Sequence, residues 1–118
     1  MKINHLNLVV SNVAEASSFF EAHFNFKCTE IKGDHLVAIL KGSDGFTLVI
    51  MKSKDGGPVY PDAFHIGFML DSIDEVNDTY LKLNAAGIIV GREPQKIRDG
   101  FGFYFTFENI MIEVGHYY

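Results

Sequence analysis

Two stretches of this chain, 60 residues apart, follow the same grammar, and that limits the fold more than any other feature. "NHLNLVVSNVAEA" (4–16) aligns with "FHIGFMLDSIDEV" (64–76) so that His5 matches His65 and Glu15 matches Glu75. Leu6, Leu8 and Val10 match Ile66, Phe68 and Leu70, while Val13 matches Ile73 and Phe20 matches Tyr80. Apolar positions coincide easily. Two identical polar residues in register with two strand-to-helix junctions do not, so we read the chain as a duplication.

Each copy reads as β-α-β-β-β. Residues 3–10 alternate loosely and are rich in branched side chains, as a strand is. Asn12, with Glu15 three residues on, opens a helix whose Val13, Ala16, Phe20 and Phe24 recur at core-facing spacing. Strands are expected near 26–32, 35–41 and 46–52, separated by turns at Gly33-Asp34 and Ser43-Asp44-Gly45. "KSKDGGPVYPD" has glycines, prolines and no periodicity, and reads as a linker. The second copy then begins with a strand over 63–70. A Ser72/Glu75 capping box follows, with a helical stripe of Ile73, Val76, Tyr80 and Leu83 and a stop at Gly87. Strands are expected at 88–92, 100–107 and 110–117, the last two joined by a turn at Glu108-Asn109. The fold class is therefore α+β, with a first βαβββ module over 1–53, a linker over 54–62 and a second module over 63–118, together forming one structural domain.

Side chains alternate across a strand, so parity assigns them to faces. Leu6, Leu8 and Val10 must cover one helix, which turns His5, Asn7 and Val9 the other way; His65, Gly67 and Met69 are turned likewise. In "IMIEVGH" the same parity puts Glu113 with Met111 and Gly115, opposite Ile110, Ile112 and Val114. A carboxylate on an apolar strand is costly unless paired. Two histidines and a carboxylate directed into one cavity suit a divalent first-row metal and leave coordination positions open for substrate. In "FGFYFTF" the four phenylalanines share the helix-facing side, so Tyr104 and Thr106 face the cavity beside Glu113. A phenol there can donate to a bound oxygen. His116 has the parity of Ile112 and Val114, and His23 and His35 have no partner pattern, so all three are left out.

Bulk properties exclude other classes. The chain has 118 residues, is 47% hydrophobic and carries a net charge of -5. That composition builds a core, and no Lys/Arg cluster marks a nucleic-acid surface. No apolar run approaches the roughly 20 residues that span a membrane, and the N-terminus lacks a cleavage-type signal. The single cysteine, Cys28, reads as a small buried hydrophobe and allows no intrachain disulfide, so the expected location is the cytoplasm.

Paired βαβββ modules of this kind resemble the vicinal oxygen chelate superfamily, which includes glyoxalase I, extradiol dioxygenases, fosfomycin-resistance thiol transferases and bleomycin-resistance binding proteins. "NHLNLVVSNVAEASSFF", "FHIGFMLDSIDEVNDTYLKLNAAG" and "GFYFTFENIMIEVGH" carry the resemblance. It implies a cup-shaped mixed sheet with metal ligands in the first and last strands of each module. His5, His65 and Glu113 match three of those positions, and Val49 occupies the fourth. Glyoxalase I usually has a second glutamate there, so the set is closer to that of the transferases or dioxygenases. The five residues after Glu113 hold no basic tail of the sort the transferases use for a phosphonate, and the last turn is Glu108-Asn109 in place of a longer Asp-Pro-Asp-Gly-Asn type.

Two functions follow from the resemblance. One is a metal-dependent lyase, transferase or dioxygenase acting on a small substrate with two neighbouring oxygens. It would use one ion per site (Mn, Fe, Ni or Zn) on His5, His65 and Glu113, with Glu113 and Tyr104 as catalytic groups. Asn7, Val49, Gly67, Tyr104 and Thr106 would line the substrate pocket. The other is a non-catalytic protein that sequesters a flat aromatic drug or metabolite. The intact ligand triad favours the first. The resemblance also implies a homodimer in which His5 of one chain meets His65 and Glu113 of the other.

Overall fold

A computed structural model describes all 118 residues. The chain divides into two compact units, Met1–Pro58 and Val59–Tyr118. In the first unit β1 (His5–Val10) leads into α1 (Val13–His23), followed by β2 (Phe26–Lys32), β3 (Val37–Gly42) and β4 (Thr47–Lys52). In the second, β5 (His65–Met69) leads into α2 (Ile73–Ala85), then β6 (Gln95–Ile97), β7 (Gly100–Phe107) and β8 (Ile110–Tyr117). Each unit is a four-stranded mixed sheet, ordered β1-β4-β3-β2 in one and β5-β8-β7-β6 in the other. In both, the first strand runs parallel to the last and the remaining pairs are antiparallel.

Local chemistry sets these elements. Asn12 caps α1 by accepting from the Glu15 amide at 3.0 Å, and Ser72 caps α2 by accepting from the Glu75 amide at 3.2 Å. The Glu75 carboxylate reaches back past the cap to the amide of Asp71 at 2.8 Å, one residue further than in the usual box. Each helix buries part of the predicted stripe. Val13, Ala16 and Phe20 pack over Leu8, Val10, Leu40, Leu48 and Ile50, while Val76 and Leu83 pack over Phe103, Phe105, Ile112 and Val114. Ile73, in the first turn of α2, is exposed, and Tyr80 meets Phe103 edge-on at 5.6 Å. No helix is long and apolar enough to cross a membrane.

Four strands start two or more residues away from the sequence expectation. β1 and β5 begin at their histidines, two residues later than the apolar pattern does. The turn before β3 extends over Gly33–Leu36, with Gly33 and His35 at positive φ, so β3 starts at Val37. The largest difference concerns the strand expected at 88–92. No strand forms there, and β6 lies at Gln95–Ile97. Gly91 interrupts that segment and Pro94 closely follows it, and a proline has no N–H for a ladder. Val90 instead anchors the connection by burial, while Ile89 is left in solvent. The Glu108-Asn109 turn is as expected, and both residues have positive φ, as a tight two-residue hairpin requires.

Gly100 opens β7 beneath the end of β8. A Cβ there would lie 2.5 Å from the His116 carbonyl oxygen and 2.7 Å from the Tyr117 ring. Gly100→Ala is expected to destabilise the protein by about 1–3 kcal/mol in urea titration. Gly91→Ala, with nothing within 4 Å of the added carbon, is expected to stay within about 0.5 kcal/mol of wild type.

Candidate functional site

The site in the second unit is built on adjacent strands of one sheet face. In the β5–β8 register Gly67 pairs with Glu113, and in the β7–β8 register Tyr104 pairs with Glu113. Gly67 places no side chain beside the carboxylate, so His65 and Tyr104 approach it from either side. Glu113 is only 6% exposed. Burying a carboxylate demands partners, and three are present. The Tyr104 hydroxyl donates to Oε1 at 2.7 Å, the Tyr117 hydroxyl donates to Oε2 at 2.9 Å, and His65 Nε2 lies 3.5 Å from Oε1. The His65 and Tyr104 rings meet edge-on at 6.0 Å.

Tyr117 was not singled out from the sequence, although the signal was available. It shares the parity of Glu113, and Gly115 between them has no side chain to block the ring's path back to the carboxylate. His116, excluded by parity, indeed points away from Glu113, with Nδ1 3.0 Å from the Leu70 carbonyl oxygen.

The histidine geometry carries chemical information. His65 Nδ1 is 3.0 Å from the Ala63 carbonyl oxygen. A carbonyl can only accept, so Nδ1 bears the proton. A neutral imidazole then turns the Nε2 lone pair toward a carboxylate oxygen. Two acceptors 3.5 Å apart call for a positive species between them, either a proton on Nε2 or a cation. Two ligand atoms about 2.1 Å from one ion at the tetrahedral angle would be roughly 3.4 Å apart, so the pair fits half of a metal site. The Ala63 contact is the outer-shell support that metal-binding imidazoles ordinarily have.

In the first unit His5 occupies the equivalent position at the head of β1, and its Nδ1 is 2.7 Å from Asn4 Oδ1. The same ring nitrogen is therefore engaged in both histidines. Asn7 Nδ2 donates to Met51 Sδ at 2.8 Å. Val49 pairs with Asn7 in the β1–β4 register, just as Glu113 pairs with Gly67 in β5–β8. Backbone register thus makes Val49 the counterpart of Glu113. Thr106 is exposed and pairs with Met111. Within neither unit do three His, Cys, Asp or Glu side chains gather as a ligand set.

A cleft of about 500 Å³ opens at the edge of the second sheet, lined among others by Arg92, Gln95, Lys96, Phe103 and Tyr104. Its origin is topological. β6 begins at Gln95, opposite Gly102, so Phe103 and Tyr104 have no strand beside them on that edge.

The hydrogen bond to Glu113 pushes the Tyr104 phenol up to about 12, with desolvation as a lesser cause. The same bond raises Tyr117, and the Arg98 charge opposes both shifts.

Residues 2–114 match the family described as Glyoxalase/Bleomycin resistance protein/Dioxygenase superfamily. Among solved structures, a possible glyoxalase from Bacillus cereus is 33% identical, with 97% of each chain covered and a TM-score of 0.83. A glyoxylase/bleomycin resistance protein/dioxygenase domain from Frankia sp. EAN1pec is 17% identical at a TM-score of 0.84, covering 100% of this chain and 93% of that one. The genomically encoded fosfomycin resistance protein FosX from Listeria monocytogenes is 19% identical at a TM-score of 0.80, covering 98% of this chain and 93% of that one. No curated protein matches.

Replacing Glu113 by Gln removes the charge that holds both phenols protonated. Phenolate absorbance followed against pH is expected to show two of the five tyrosines moving down toward the ordinary value of about 10. The sign follows from linkage. Stability tied to a raised phenol is fully present below about 10 and is lost as pH rises through about 12. The variant should therefore lose that alkaline component of its stability profile.

Proposed function

Because the chain belongs to the Glyoxalase/Bleomycin resistance protein/Dioxygenase superfamily, we propose that it is a small divalent-metal enzyme acting on a substrate with two neighbouring oxygens. His5, His65 and Glu113 are the ligands. What supports this is the His65–Glu113 pair, with Nε2 3.5 Å from a carboxylate oxygen and Nδ1 engaged by the Ala63 carbonyl. A bound divalent ion would supply Lewis-acid stabilisation of an oxyanion on the substrate.

The protein's own groups do the rest. Tyr104 and Tyr117 hold one carboxylate oxygen each, which fixes the Glu113 plane. Tyr104, held protonated far above neutral pH, is a standing hydrogen-bond donor at the mouth of the site and orients a substrate oxygen. Val49 offers no fourth protein ligand, which leaves room for a bidentate substrate beside Asn7, Gly67 and Thr106. A cytoplasmic setting suits the single free Cys28.

Protein purified without a histidine tag is expected to contain about one equivalent of Mn, Fe, Ni or Zn by elemental analysis. His65→Ala and Glu113→Gln should each lower metal affinity by at least tenfold. Full metal content in both variants would contradict the ligand assignment. Wild-type protein that holds no metal yet binds a flat aromatic compound would instead support the drug- or metabolite-sequestering role.

His5 and the His65–Glu113 pair belong to different units, and we propose that a homodimer joins them, with His5 supplied by a second copy. Two equivalent sites would then form about a two-fold axis. Mixing His5→Ala with Glu113→Ala protein should restore metal binding, because one site in each mixed dimer carries both lesions and the other carries none. A monomer by light scattering, or no recovery after verified subunit exchange, would refute the shared site.

A further inference from the structure

The cleft beside Tyr104 is basic in an acidic protein. Ten Lys and Arg stand against fifteen Asp and Glu in the whole chain, yet both of its arginines, Arg92 and Arg98, fall within seven residues here, with Lys96 between them. The sequence disguises the grouping because Glu93 and Asp99 are interspersed and no basic run exists. The fold separates the signs in part. Arg92 and Lys96 line the cleft with Gln95 and Tyr104, whereas Glu93 and Asp99 are not among its lining residues. Arg98 lies in the turn that joins β6 to β7, near enough for its charge to act at the Tyr104 and Tyr117 hydroxyls.

Tyr104 belongs to two neighbourhoods at once. Its hydroxyl is bound to Glu113, and its side chain forms one wall of the cleft. A molecule whose two oxygens reach the His65–Glu113 pair would therefore extend its remainder along Tyr104 into the cleft, whose volume of about 500 Å³ is that of an ordinary small-ligand pocket. Guanidinium and ammonium groups there favour a planar or tetrahedral oxyanion, and arginine can grip one with two parallel hydrogen bonds.

We infer that this cleft is an oxyanion subsite, and that the substrate carries a carboxylate, phosphonate or similar anionic group distal to its pair of vicinal oxygens. The inference rests on the vicinal-oxygen reading of the site and adds the substrate's charge.

Two matched probes separate the two ideas. The Mn²⁺-loaded protein is titrated calorimetrically with 3,4-dihydroxybenzoate and with its neutral isostere 3,4-dihydroxybenzamide. The benzoate is expected to bind about five- to tenfold more tightly, as suits a partly exposed charge-assisted contact, and the difference should shrink as NaCl is raised. In the Arg92→Gln/Lys96→Gln double variant, with metal content and circular dichroism checked against wild type, both probes should bind with one affinity. Equal affinities in the wild-type protein, or a preference that survives in the double variant, would overturn the subsite while leaving the chelation reading intact. Binding of neither probe would overturn both.

Discussion

In each unit one helix lies on one face of a four-stranded sheet, and the strands must give that face their large apolar side chains. Leu8, Val10, Leu48 and Ile50 do so under α1, as Phe103, Phe105, Ile112 and Val114 do under α2. Because a strand alternates with period two, this choice leaves the opposite face only the intervening residues. His5, Asn7 and Val49 in one unit, and His65, Gly67, Tyr104 and Glu113 in the other, are therefore placed by hydrophobic burial they do not themselves supply. A slip of one residue in β8 would bury the helix-facing set's neighbours and turn Glu113 against α2, where no partner awaits it.

That dependence explains what could be read in advance. The duplication, the order of elements and the parity of His65, Tyr104 and Glu113 all follow from period and capping, which are local properties. Contacts that depend on reach were harder to anticipate. Tyr117 meets Glu113 from four residues along the same strand, over a glycine, and pairwise spacing rules do not describe that path. The Ala63 carbonyl that fixes the His65 tautomer is a backbone atom with no sequence signature. β6 was misplaced because the apolar run at 88–90 looks like a strand, whereas ladder pairing begins only after Pro94. That shift also hid the cleft, since it exists only because β6 does not begin until Gln95.

The site combines two opposed electrostatic demands. A carboxylate held away from water requires donors, and Tyr104 and Tyr117 supply them without adding charge. Neutral donors leave the anion's field in place for a third partner at His65, whereas a lysine or arginine in the same position would cancel it. The cations Arg92, Lys96 and Arg98 lie before, on and just after β6, and none of them bonds to the carboxylate. Glu113 thus keeps its field on one side of Tyr104, while Arg92 and Lys96 line the cleft on the other.

The two units share backbone register but differ in chemistry at every position that supports the carboxylate. Val49 is the counterpart of Glu113, each paired with the residue two after its histidine. Across the neighbouring strand Ile39 faces Val49 where Tyr104 faces Glu113. Met51 stands where Gly115 does, and Ser53, four residues after Val49, corresponds to Tyr117. A carboxylate at Val49 would find the Asn7 amide across the strand but no phenol and no glycine gap, so it would be held by fewer donors than Glu113. The carboxylate and the donors that support it therefore go together in physical terms, and the first unit has neither. Ile39 and Met51 give that face of the first unit apolar side chains where the second unit has Tyr104 and Gly115. The second unit alone buries a carboxylate, and only there do Tyr104, Tyr117 and the gap at Gly115 meet the demands of that burial.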